Sequence, residues 1–114
     1  MPINIREANS NDLSILVNNN QALAQETESL ELKKNILRDG IKQALKLREC
    51  HYFVAMMDGN VVGQSMITYE WSDWRNGVIW WIQSVYVLPR YRKQGVFRSL
   101  FLYIENLARN NPQV

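Results

Sequence analysis

Three β-prone runs, closely spaced and joined by short turn signals, constrain this chain more than any other feature. "YFVAMM" (52–57) is followed by "DGN", "VVGQSMITYEW" (61–71) by "SDWRNG", and "VIWWIQSVYV" (78–87) stops at Pro89. Valine, isoleucine and aromatic residues fit a pleated, half-buried surface. Gly59 supplies the positive φ a tight hairpin needs, and Asn76-Gly77 repeats the signal. Connections this short join antiparallel neighbours, since a parallel crossover takes a dozen residues or more. The segment 52–87 is therefore predicted to be an antiparallel meander.

The flanks change period. "INIREA" (3–8) alternates Ile3 and Ile5 with polar residues and reads as a first strand. "NSNDL" offers caps for a helix carrying Leu13, Leu16 and Val17 on one face, weakened by Asn18, Asn19 and Asn20. "TESLELKKNILRDGIKQALKLRE" (27–49) reads as a second helix capped by Thr27 or Ser29, with Leu30, Leu37, Ile41, Ala44 and Leu45 as its stripe. Gly40 inside it costs about 1 kcal/mol against alanine and admits a bend. A last helix is expected from about Gly95 to Arg109, burying Val96, Leu100, Ile104, Leu107 and Ala108, with Phe97 and Phe101 alongside. Pro112 stops it. The order is β-α-α-β-β-β-α, an α+β class with helices on a mainly antiparallel sheet. At 114 residues the chain is one domain, residues 1–114.

Several classes fall away. No apolar run reaches the roughly 18 residues of a membrane span, and the N-terminus lacks a signal pattern. One cysteine, Cys50, allows no internal disulfide. A single histidine, His51, leaves no metal-ligand set, so no metal is expected. A cytoplasmic protein is the expectation. The net charge of +2 is too small to point to nucleic acid. Its distribution is more telling: residues 1–89 carry 8 basic and 10 acidic side chains, while residues 90–114 carry 5 and 1.

That positive charge surrounds one glycine. "PRYRKQGVFRSLF" places Gly95 between a strand-loop and a helix start, where backbone N–H groups lack intrahelical partners and the helix dipole is positive. Arg90, Arg92, Lys93 and Arg98 add to the field. The chemistry suits a phosphate or pyrophosphate; a solvated helix start with scattered cations is the other reading.

"VYVLPRYRKQGVFRSLF" resembles the acetyl-CoA signature of the GCN5-related N-acetyltransferases, the GNAT family, whose Arg/Gln-x-x-Gly-x-Gly/Ala motif would run here from Arg92 to Phe97. The resemblance implies a GNAT-like acyl-CoA N-acyltransferase fold and acetyl-CoA as co-substrate. It implies that backbone groups of Val85, Tyr86 and Val87 meet the pantetheine arm as an added strand would. It implies that amides of Arg92, Lys93, Gln94, Gly95, Val96, Phe97 and Arg98 wrap the pyrophosphate. Phe97 stands where the motif has a small residue; its N–H remains usable if its ring turns into the core. The family continues past this point with a fifth strand, and "NNPQV" falls where that strand is expected. The C-terminal part of the fold is thus expected to be missing, leaving the fourth strand as an uncharged edge. A homodimer completing the sheet, by pairing or strand exchange, is the corresponding expectation.

Acetyl transfer to an amine needs an oxyanion donor, a base, and a proton for the thiolate. The resemblance implies the Val85 N–H as oxyanion donor. Glu70 is the candidate base, with Asp73 behind it, and Gln83 a candidate for positioning water or substrate. Glu26 and Glu28, in "QETE" between the first two helices, and Trp71 are candidates for the acceptor side. The acceptor expected is a small-molecule or peptide amine. The alternative is a catalytically incomplete acyl-CoA-binding or protein-interaction module of the same fold.

Overall fold

The computed structural model describes residues 2–112. Its strands are β1 (Asn4–Glu7), β2 (Cys50–Met57), β3 (Asn60–Ser72) and β4 (Gly77–Val87). Its helices are α1 (Leu13–Glu28), α2 (Lys34–Ala44) and α3 (Val96–Arg109), with short 3-10 turns at Ser10–Asp12 and Pro89–Tyr91. The sheet order is β1-β2-β3-β4, and every neighbouring pair is antiparallel. This is the α+β arrangement and element order expected. Of "NNPQV", Gln113 and Val114 lie outside the described residues.

The turns explain the meander. Asp58 (φ 53°) and Gly59 (φ 80°) are both left-handed, the geometry whose twist matches a two-residue hairpin, and Met57 pairs with Asn60 across it. The sheet then buries both faces. On one, Phe53, Ala55, Val62 and Ile67 pack against Val96, Leu100 and Ile104 of α3. On the other, Tyr52 and Val54 pack against Leu13, Leu16 and Val17 of α1 and Ile41 of α2. Gly63 permits the first contact: a Cβ there would stand 2.7 Å from Val96 Cγ1. The first turn of α3 is thereby seated directly on β3.

The helical boundaries differ from the expectation. α1 continues through "QETE" to Glu28, so those residues form its last turn rather than a loop. Ser29, expected as an N-cap, is left-handed (φ 49°) and ends α1: its N–H and that of Leu30 return to the carbonyls of Gln25 and Ala24. α2 then starts only at Lys34, and Leu30 is exposed in the connection. The asparagines do not break α1. Asn20 is buried, and its Nδ2 donates to the Leu16 carbonyl (2.8 Å) and the Tyr52 hydroxyl (3.2 Å), so its polar group is satisfied inside the fold. No described helix is long and apolar enough to cross a membrane.

Candidate active site

β4 bends before its end. Gln64 pairs with Tyr86 but Met66 pairs with Gln83, so Ser84 and Val85 together oppose Ser65. This is a β-bulge, and Ser84 takes its left-handed conformation (φ 52°). The Gln64 Nε2 donates to the Ser84 carbonyl at 3.1 Å.

Beyond the bulge, β4 and the N-terminus of α3 enclose a groove of about 470 Å³. Val85, Tyr86 and Val87 form one side, the loop to Arg98 another, and Leu23, Glu26 and Thr27 of α1 a third. The loop curls through two left-handed residues, Lys93 (φ 64°) and Gly95 (φ 85°). The first helical bond of α3 is Ser99 N–H to the Gly95 carbonyl (2.9 Å). The amides of Val96, Phe97 and Arg98 thus precede the intrahelical ladder, at the positive end of the α3 dipole.

The cations divide among roles. Lys93 and Arg98 line the groove. Arg92 is a brace: its Nε donates to the Val87 carbonyl (2.8 Å), its Nη2 meets Glu26 (3.1 Å), and its guanidinium lies 5.3 Å from the Tyr86 ring centre. The Gln94 amide turns away to the Arg90 carbonyl (3.0 Å), stiffening the loop. Arg90, read from sequence as part of the same field, stacks on Tyr91 and opens into a separate groove beside Arg6 and Asp12.

Phe97 does not turn into the core. Val96 takes that place, and the Phe97 ring is half exposed at the groove beside Phe101 (6.2 Å between centres). The Tyr86 hydroxyl, and after it Arg92, hold the Glu26 carboxyl below its ordinary range. Burial, then Glu26, pushes the Tyr86 hydroxyl up. Glu26 therefore sits against the basic loop, while Glu28 is exposed at the end of α1, outside the groove lining. The lining residues missed from sequence are Tyr91, in the loop after β4, and Leu23 and Thr27 on α1. The spacing of Leu23 and Thr27 with Glu26 marks one helix face, a signal available only if α1 is carried through "QETE".

Further along the sheet, Glu70, Thr68, Trp81 and Gln83 share the α1 face. Trp81 Nε1 donates to Glu70 Oε1 (2.7 Å) and Gln83 Nε2 to Thr68 Oγ1 (2.5 Å). Strand alternation puts Trp71 on the opposite face from Glu70. Trp71 is exposed, as is Trp74 in the turn. Trp81 lies four strand residues from Val85, roughly 13 Å, while Glu70, paired with Ile79, lies five residues along β3 from Ser65, which faces Val85, roughly 17 Å. Gln83 lies two residues from Val85.

The chain matches the Acetyltransferase (GNAT) family over residues 16–114. It belongs to the GNAT acetyltransferase family. No curated protein matches it. Among solved structures, it is similar to a possible acetyltransferase from Clostridium difficile 630, with 45% identity and a TM-score of 0.92, over 100% of this chain and 76% of that one. A probable acetyltransferase is 19% identical with a TM-score of 0.86, over 97% of this chain and 74% of that one. A predicted acetyltransferase from Clostridium acetobutylicum, solved with acetyl-CoA, is 19% identical with a TM-score of 0.77, over 95% and 74% of the two chains. The last two show the shared fold. Acetyl transfer is accordingly the reaction class of this GNAT protein.

The groove suits the co-substrate of that class. A strand edge runs into a loop of helix-start amides flanked by Lys93 and Arg98, an arrangement of backbone donors and positive charge of the kind that anions and extended amides bind. No cluster of three or more metal-ligating side chains occurs among the described residues.

Proposed function

We propose that this GNAT protein moves an acetyl group from acetyl-CoA to a primary amine by direct attack, the C–N bond forming as the C–S bond breaks and the coenzyme A thiolate leaving to take a proton from water. The observation that carries the reading is the continuity of one wall: the edge of β4 at Val85–Val87 leads straight into the amide-lined loop at Gly95. When bound, the co-substrate supplies an activated acetyl thioester. The amides from Lys93 to Arg98 hold its pyrophosphate, with Arg92 keeping the loop against β4 and α1. Val85 and Val87 align the arm along the strand. The Val85 N–H donates to the oxygen on which negative charge develops, where a fixed donor is most effective.

The amine approaches from the α1 face. Glu70 and Trp81 form its outer landing, where a carboxylate and an exposed indole favour a cation. From roughly 17 Å along the strand, Glu70 takes the amine's proton through a chain of waters rather than by contact. Gln83, nearer Val85, positions that water or the amine. The acceptor is a small-molecule or peptide amine, and the setting is cytoplasmic. The edge of β4, unpaired among the described residues, is what supports a homodimer.

Calorimetry with acetyl-CoA, run on a sample of known solution mass, tests the binding step, and thiol release against a panel of amines tests the transfer. Micromolar binding with amine-dependent thiol release is expected. Binding without release would make the protein an acyl-CoA-binding module of the same fold.

A further inference from the structure

The bulge in β4 is held from inside the sheet. Ser84 contributes the carbonyl, and Val85 the N–H, of a single peptide unit. Such a unit is planar and trans, so its carbonyl and N–H point in opposite directions. The Ser84 carbonyl is held by Gln64 Nε2 at 3.1 Å, and Gln64 stands on β3. The Val85 N–H is therefore aimed away from β3, off the free side of β4. The direction of the candidate donor is set by a side chain that does not line the groove.

Gln64 is an unusual choice for its site. It is fully buried, in mid-strand, and its Oε1 has no hydrogen-bond partner among the described residues. Burying half an amide unsatisfied is unfavourable, and an apolar side chain of the same shape would avoid it. The bond from Nε2 is what the residue offers in return. On the same face, Asn20 of α1 donates to the Tyr52 hydroxyl at 3.2 Å. Asn20 in turn is tied to the Leu16 carbonyl. The bulge is held by Gln64 on the Ser84 carbonyl.

We propose that Gln64 is a positioning residue for acetyl transfer, orienting the Ser84–Val85 peptide so that its N–H faces the reacting oxygen. The inference rests on Val85 serving as the donor. A hydrogen bond to the carbonyl also polarises the peptide, making the N–H a stronger donor. Gln64 acts in the developing charge rather than in binding, so kcat and co-substrate affinity separate.

The test combines NMR and kinetics on the full chain. In the wild type, a through-hydrogen-bond coupling between Gln64 Nε2 and the Ser84 carbonyl carbon is expected; its absence overturns the proposal and needs no variant. In Gln64→Met, close in volume but without the donor, the Val85 amide 15N resonance should shift. The variant's kcat should fall about tenfold, with acetyl-CoA Kd within twofold of wild type and an unchanged unfolding midpoint. An unmoved Val85 resonance with kcat intact would overturn the proposal. So would a loss of kcat matched by equal losses in affinity and midpoint, the mark of a merely structural role. A wild type that turns over no acetyl-CoA would refute the transfer reading instead, leaving the NMR result to decide the orientation of the peptide.

Discussion

Arg92 shows why single residues of this site resist being read one at a time. The motif suggests a phosphate ligand, but its guanidinium closes a bridge between the last carbonyl of β4 and the end of α1. Arg92→Ala releases the loop and leaves the Glu26 carboxylate without its counter-charge, beside the site proposed for the pyrophosphate. Acetyl-CoA affinity should fall at least tenfold, measured by calorimetry, with little change in stability because both partners are largely exposed. Asp12 makes the opposite case. It is buried, pairs with Arg6 at 2.8 Å, and accepts the Asn9 N–H in a capping box. The Arg6 hydrogen bond holds its carboxyl below the ordinary range, against burial. A depressed folded-state pKa gives stability that is full above the unfolded value, near about 4, and lost as pH falls through the lower folded value. Asp12→Ala should lower stability by about 2 kcal/mol at neutral pH in urea titrations, and flatten the loss of stability in that acid window. "NSNDL" announced a cap in the sequence; the Arg6 partner comes from tertiary structure alone.

At the level of elements, the glycines separate packing from conformation. Gly63 is where α3 meets the sheet, and a methyl group there would press on Val96, a β-branched helical residue with little rotamer freedom. Gly63→Ala should destabilise by about 1–3 kcal/mol in urea denaturation, by lifting the first turn of α3 from β3. Gly40 is the converse. Nothing lies within 4 Å of its would-be Cβ and it sits inside α2, so Gly40→Ala should stabilise by about 0.5–1 kcal/mol in the same experiment. The same contrast explains what could be read from the sequence. The meander was legible because Asp58-Gly59 and Asn76-Gly77 encode turns locally. The place of the break between α1 and α2 was not, since Ser29 has the composition of an N-cap and serves as a left-handed C-cap. The Gly95 loop was legible from its charge and spacing. The bulge was not: "QSV" carries no glycine, and its left-handed Ser84 is held by Gln64 across the sheet, a contact no local pattern reports.

For the molecule as a whole, the decisive feature is the asymmetry of its sheet. β4 has β3 on one side and no strand on the other among the described residues. Its row Val78, Trp80 and Ile82 borders a second apolar groove of about 470 Å³ against Phe101, Ile104 and Ala108 of α3. Trp81 is half exposed on the opposite face. An edge of unpaired backbone groups, uncharged along its length and flanked by apolar side chains on both faces, invites another strand. Two copies meeting edge to edge would satisfy both at once, in an arrangement that closes on itself. Sedimentation velocity at micromolar concentration should then show a dimer. Ile82 lies on this row outside the co-substrate groove, and at 36% exposure it can carry a longer polar side chain without opening the core. Ile82→Lys places a charge on each side of the joint, so the dimer should dissociate at least tenfold more readily while the Gly95 loop stays intact. Retained acetyl-CoA binding in that monomer would place the whole co-substrate groove within one chain, and lost binding would make the second copy part of the site. A wild-type protein sedimenting as a monomer at about 100 μM, well above the working range of a typical specific interface, would refute the pairing.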